Sequence, residues 1–269
     1  DIALTGVGLA FPIIMVISAF AALIGYGGAP LASIRMGAGD KARAEQMMGN
    51  CFTMLVAVAL ALTAVLWFTA QPLLQVFGAS PDTLPYAVEY LKIYLLGTLS
   101  VQISLGMNQF LSAQGFAKTS MATVCLGAAL NIILDPIMIF GMNMGVVGAA
   151  IATVLGNVGA VLFYLWYMIF KSKNLSISPK YMIPDGFELR NILLIGIPAS
   201  LNTMLMCISN IIENNLAANH GALELSSIGV ILKINMFPVF ILIGLGQGIQ
   251  PLIGYNYSAN NRKRLASVM

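Results

Sequence analysis

Of the 269 residues, 59% are hydrophobic and 9% charged, against about one quarter charged in an ordinary soluble domain, which excludes a water-soluble globular fold. The net charge of +3 is small and scattered between apolar segments, giving no footprint for a nucleic-acid partner. One histidine, His220 in a short polar loop, and three cysteines, Cys51, Cys125 and Cys207, with no CxxC spacing leave little material for a metal centre, a disulfide framework or histidine catalysis.

In chain order, seven continuous apolar runs are each long enough to cross a hydrocarbon core of about 30 Å at about 1.5 Å per helical residue. They cover Gly8 to Arg35, Cys51 to Val76, Tyr86 to Ala113, Thr119 to Phe140, Val146 to Phe170, Asn191 to Ala217 and Ser226 to Tyr257. A membrane barrel would alternate apolar and polar residues, and these runs do not. The expected fold is therefore an all-α membrane protein.

Basic residues set an orientation. The connections holding Lys41 and Arg43, then Lys118, then Lys171, Lys173 and Lys180, then Arg262, Lys263 and Arg264 alternate with connections that contain no Lys or Arg. Positive charge collects on the cytoplasmic side, so the first span is expected to enter from outside. The chain begins without an initiator Met or a basic n-region and stops directly after a cytoplasmic exit, and it reads as an internal piece of a longer protein. Lys171 to Arg190, with Pro179, Pro184 and Asp185-Gly186, reads as a cytoplasmic linker between an amino-terminal lobe, 1–170, and the start of a second lobe, 191–269.

An internal repeat crosses that linker. Gly25-Tyr26-Gly27-Gly28-Ala29-Pro30-Leu31 aligns with Gly246-Gln247-Gly248-Ile249-Gln250-Pro251-Leu252 at a constant offset of 221 residues. The same offset pairs Gly8 with Gly229, Met15 with Met236 and Arg43 with Arg264. Both copies keep one orientation, so the repeat is parallel, about an axis along the membrane normal. Two such lobes of six helices predict a twelve-helix parent, of which about seven are present.

Ionisable groups inside hydrocarbon are costly and mark function. Asp135 follows Asn131 by four residues, on one helix face, and Pro136 removes a backbone donor and frees carbonyls beside it. Thr153 and Tyr90 sit at a similar depth on neighbouring spans, so a carboxylate, an amide, a hydroxyl and a phenol form one level suited to a proton or a hard cation such as Na+. Glu213 is a second candidate acid, near the outer end of the sixth span, and Lys233 is a candidate counter-ion or substrate contact in the seventh. The sixteen Met and thirteen Phe suit an adaptable apolar cavity as well as ordinary helix packing. No Walker A, HExxH or GxSxG pattern occurs, which disfavours ATP hydrolysis and hydrolytic enzymes of those kinds.

Several linked pieces carry a family resemblance across the whole chain. They are Gly27 to Gly39, with Ser33-Ile34-Arg35-Met36-Gly37-Ala38-Gly39 closing the first span, then Gln114-Gly115-Phe116-Ala117-Lys118 and Asn131 to Pro136. Met144-Gly145-Val146-Val147-Gly148-Ala149-Ala150 and Gly196-Ile197-Pro198 complete the set. In order and spacing they resemble the multidrug and toxic compound extrusion (MATE) family of cation-coupled antiporters. The resemblance implies a twelve-helix, two-lobe carrier that exports organic, often cationic drug-like compounds in exchange for H+ or Na+, with no cofactor. It implies a multi-pass protein of the plasma membrane (the inner membrane of a Gram-negative cell), monomeric and surrounded by lipid. It also matches Tyr90, Asn131, Asp135 and Thr153 to the family's amino-lobe cation site, which includes an acid on a preceding helix outside this sequence, and Glu213 to an acid used by other members. The different-class alternatives are a lipid-linked oligosaccharide flippase of similar two-lobe build, whose headgroup cavity should be rich in Arg and Lys, and a membrane enzyme or scaffold.

Overall fold

The computed structural model describes residues 2–172, 174–176, 179–218 and 222–268, with side chains at 2–5, 179, 222–230, 232, 233 and part of 202–218 outside that description. Among the described residues the chain is helical without strands: α1 (Ile2–Gly37), α2 (Lys41–Val76), α3 (Leu84–Leu96), α4 (Thr98–Ala113), α5 (Ala117–Pro136), α6 (Gly145–Phe170), α7 (Gly186–Ala218), α8 (Ala222–Ser258) and α9 (Arg262–Val268). All seven expected spans fall on helices. Five helical stretches among the described residues are, as continuous segments, long and apolar enough to cross a membrane.

The third expected span is divided at Gly97 into α3 and α4, where the Gly97 amide turns back to Tyr94 O at 2.9 Å. The second begins at Lys41 rather than Cys51 because Asp40 caps it, its Oδ1 accepting from the Arg43 amide at 3.1 Å. Polar residues at that end extend the helix out of the apolar zone, which a hydropathy window cannot see. The sixth begins at Gly186 for a similar reason: Asp185 Oδ1 accepts from the Phe187 amide at 3.0 Å.

Helix α1 is central, packing against α2, α3 and α4 and also against α7 and α8. One apolar core joins Ile24 of α1, Met47, Met48, Cys51 and Leu55 of α2, Met107, Phe110 and Leu111 of α4, and Tyr164 and Met168 of α6. A second joins Ile13 and Ile17 with Leu66 and Leu74 of α2, Leu91 and Leu95 of α3 and Val101 of α4. In lipid such contacts hold by close packing, since there is little water to expel. The α1–α7 crossing illustrates this: a Cβ on Gly27 would meet the Ile192 carbonyl, and one on Gly196 the Leu23 carbonyl.

The linker is docked along α2. Leu175 is buried in the first core, and Glu45 Oε1 accepts from the Ser176 amide at 3.0 Å and its hydroxyl at 2.8 Å. Thr53 donates to Met182 O at 2.7 Å, and Asn174 donates to Gln114 O at 3.3 Å.

The sequence repeat is visible in backbone detail. After α1, Gly39 takes a left-handed φ of 81°, and after α8 its offset partner Asn260 takes 53°, as a helix C-terminal turn requires. Asp40 N bonds Arg35 O at 3.0 Å, and Asn261 N bonds Asn256 O at 3.0 Å. Asp40 caps through the Arg43 amide, and Asn261 Oδ1 accepts from the Arg264 amide at 3.2 Å. Residue for residue, α9 is thus built as the opening turns of α2.

Candidate cation site and the seam between the repeats

Helices α5 and α6 approach closely because Gly127 and Gly156 face one another: a Cβ on Gly156 would lie 2.8 Å from the Gly127 carbonyl. That approach lets the short Asn131 side chain reach the next helix. Its Nδ2 donates to Thr153 Oγ1 at 3.3 Å and to Asp135 Oδ1 at 3.4 Å. With the amide turned over, Nδ2 donates to Asp135 Oδ2 at 3.3 Å and the carbonyl accepts from the Thr153 amide at 3.3 Å. In either orientation Asn131 bridges carboxylate and α6. The Thr153 hydroxyl donates a hydrogen bond to Ala149 O at 2.9 Å, leaving its lone pairs toward the cluster.

Tyr90, buried on α3 at 7% exposure, interacts with the Thr153 side chain and lies within the field of Asp135. The four expected residues therefore sit together, drawn from three helices. Asp135, Asn131 and Thr153 are half-buried, so the cluster is open on one side. Pro136 ends α5 and is followed by a π-helical turn, Ile137–Gly141, closed by Met142 N to Ile137 O at 2.9 Å and Met144 N to Met138 O at 3.1 Å. The missing Pro136 N–H deprives a carbonyl one turn back of its helical partner. Carboxylate, amide and hydroxyl oxygens beside such a carbonyl can hold a proton or a hard monovalent cation.

Glu213 is not part of this group. It is exposed on α7, accepting from Ser209 Oγ at 3.3 Å, and α7 packs on α1 and α8 while α5 packs on α6. The Lys233 side chain lies outside the described residues, as do His220 and the Cys207 side chain.

A second constellation, not singled out from sequence, joins the two copies of the repeat at the basic end. Arg35, in the last turn of α1, forms a bidentate pair with Glu188, in the first turn of α7, with Nη2 to Oε2 at 2.8 Å. The side chains are 16% and 4% exposed. Ser33 donates to Pro251 O of α8 at 2.8 Å, and Gln247 donates to the Tyr26 hydroxyl at 3.0 Å. A lone Arg near the end of an apolar helix and an acid just past a linker proline were the available signals. A cavity of about 520 Å³ opens above this seam, lined among others by Met36, Gln114, Asn174, Leu252, Tyr255 and Arg264.

A repeated bundle of long apolar helices with polar groups held between them defines a multi-pass α-helical membrane protein. The sequence profile of the MatE family matches residues 1–137 and 198–269, and the chain belongs to that family, one of transporters rather than enzymes. It is 34% identical over 261 residues to the multidrug export protein MepA of Staphylococcus haemolyticus (strain JCSC1435), covering 97% of this chain and 58% of that protein. To MepA of Staphylococcus aureus (strain NCTC 8325 / PS 47) it is 33% identical over 260 residues, 96% of this chain and 57% of the relative. The chain thus spans somewhat over half the length of these curated relatives. Among solved structures, a MATE protein crystallised in the bent conformation superposes with a TM-score of 0.92 at 28% identity, covering 100% of this chain and 60% of that one. The outward-facing conformation of a multidrug resistance MATE family transporter of the MOP superfamily gives 0.89 at 29% identity, covering 98% and 59%.

Proposed function

We propose that the full-length protein is a secondary multidrug exporter that expels organic, often cationic compounds in exchange for H+ or Na+, with Asp135 as the coupling acid. The observation that carries this reading is the Asp135–Asn131–Thr153–Tyr90 cluster, an oxygen-rich group assembled from three spans of a family of transporters. A carboxylate in a membrane span is costly and is retained where ions must pass. Names carried by relatives, multidrug export protein among them, support a drug-like substrate.

In this reading residues 1–170 form five spans of the first lobe, with α3 and α4 together making one, 171–190 the cytoplasmic linker and 191–269 the opening helices of the second, within a plasma-membrane monomer in contact with lipid. The basic loops face the cytoplasm. Asp135 binds its ion from the outside, the bound state favours drug release, and discharge of the ion inward resets the carrier. Coupling of this kind requires that Asp135 bind the ion with different affinity in the two states. Glu213 and Lys233 stand as a second ion or substrate site on the other lobe.

The test is efflux of a fluorescent cationic dye from drug-sensitive cells expressing the full-length parent, with the proton or the sodium gradient collapsed in turn. Loss of efflux on collapsing one gradient names the ion. Absence of efflux despite full membrane insertion overturns the proposal and favours the lipid-linked oligosaccharide flippase.

A further inference from the structure

We infer that the Arg35–Glu188 pair is a charge latch that closes the basic, cytoplasmic end of the carrier and must part in every transport cycle. The inference rests on the transporter reading for its purpose and on the seam geometry for its substance. Three contacts run along α1: Tyr26 to Gln247 at 3.0 Å, Ser33 to Pro251 at 2.8 Å, and Arg35 to Glu188 at the mouth. Each crosses from α1 to a residue of α7 or α8. Tyr26 and Ser33 are two helical turns apart and share a face, so the seam closes progressively toward Arg35.

The pair is placed by its helices. Arg35 stands at the C-terminal end of α1 and Glu188 at the N-terminal end of α7, where the helix dipoles favour a cation and an anion respectively. Arg35 also donates to Arg43 O at 3.4 Å, which ties the guanidinium to the start of α2. Both side chains are largely withdrawn from water while the seam is shut.

A buried ion pair of this kind is close to neutral in net free energy, because attraction is offset by desolvation, yet removing one partner strands the other. That asymmetry suits a part that must open repeatedly. When α1 and α7 separate, each charge regains water at the membrane face, so the open state is not penalised. When they meet, only the matched pair can be buried. Arg35 and Glu188 act as positioning residues that set which end of the carrier is closed.

The test uses the full-length parent in inside-out vesicles, with Ser33→Cys as reporter and a water-soluble maleimide as probe, labelling at residue 33 being read by peptide mass spectrometry. Ser33 is fully buried against α8 and lies below the cavity, so it reacts only when the seam opens. Arg35→Gln and Glu188→Gln should each raise the labelling rate by about tenfold or more. The double variant Arg35→Met with Glu188→Leu should label as slowly as the parent, because two apolar groups can replace the pair in the closed state, and should lose dye efflux because they resist exposure to water. Single variants that label at the parent rate, or a double variant that labels as fast as the singles, overturn the latch. Should the single variants fail to insert, the double variant decides alone. If the parent moves no dye but the labelling pattern holds, the transport reading falls and the latch stands.

Discussion

Gln247 of α8 donates a 3.0 Å hydrogen bond to the hydroxyl of Tyr26 of α1, and the 221 residues between them are the interval at which the sequence repeats. Two residues related by an internal two-fold can bond only near its axis. The contact therefore marks where the copies meet, with Gly25 and Gly27 flanking Tyr26 and Gly246 and Gly248 flanking Gln247. Both side chains are half-buried, so the bond is partly shielded from water.

Removing one side of this bond should cost more than removing both. Tyr26→Phe orphans the Gln247 amide and is expected to destabilise the detergent-solubilised full-length protein by about 1 kcal/mol. Adding Gln247→Leu should recover most of that loss, giving a coupling of about 0.5 to 1.5 kcal/mol in a double-mutant cycle. Thermal unfolding of the four proteins measures it, and additive losses would place the two side chains out of contact.

The two candidate acids should separate in function. Asp135→Asn keeps shape and hydrogen bonding while removing the titrating group, and dye efflux should fall to background with insertion unchanged. Thr153→Val should lower efflux by about tenfold, because it takes one oxygen from the cluster and leaves the Asn131 amide short of a partner. Glu213→Gln, on an exposed acid that accepts from Ser209 one turn back on its own helix, should retain at least about half of the parent rate if the first-lobe cluster alone couples transport. The reverse order of effects would transfer the coupling role to Glu213.

What was legible in the sequence follows distance along the chain. Asn131 and Asp135 are four apart, so their shared face could be read from helix geometry, and Thr153 and Tyr90 came in through equal depth on adjacent spans. The repeat was legible because it is written twice. Arg35 and Glu188 lie 153 residues apart, and nothing in periodicity or hydropathy pairs an arginine at one helix end with one of several acids elsewhere. The break at Gly97 was hidden for a different reason. The run Tyr86 to Ala113 is evenly apolar, and one glycine in such a run ordinarily stays helical; the interruption falls where Gly97 packs against the Val154 side chain of α6, a contact that a hydropathy window does not contain.

Close backbone approach between α1 and α7 makes a size prediction. Gly27→Ala and Gly196→Ala place a methyl against the carbonyls of Ile192 and Leu23, so the helices must move apart, at about 1 to 3 kcal/mol each. Gly186→Ala, exposed at the start of α7 with open space around it, should be neutral or slightly stabilising, since alanine favours the helix. Melting temperatures of the purified variants rank them, and equal effects at all three positions would remove the close-packing account.

The linker should owe its order to Glu45. This carboxylate, 8% exposed, receives both the amide and the hydroxyl of Ser176 and lies 4.0 Å from Lys41 Nζ. Glu45→Ala withdraws the acceptor shared by two donors of the linker, and hydrogen bonds to a charged group contribute about 1.5 to 3 kcal/mol. The expected outcome is trypsin cleavage after Lys171 or Lys180 faster by about tenfold or more in inside-out vesicles, because cleavage follows the population of the undocked segment. Glu45→Gln keeps an acceptor oxygen in place and should be cut at a rate between those of the parent and the alanine variant. Equal cleavage of all three would mean that Leu175, buried in the apolar core, and the bonds of Thr53 and Asn174 hold the linker without help from the carboxylate.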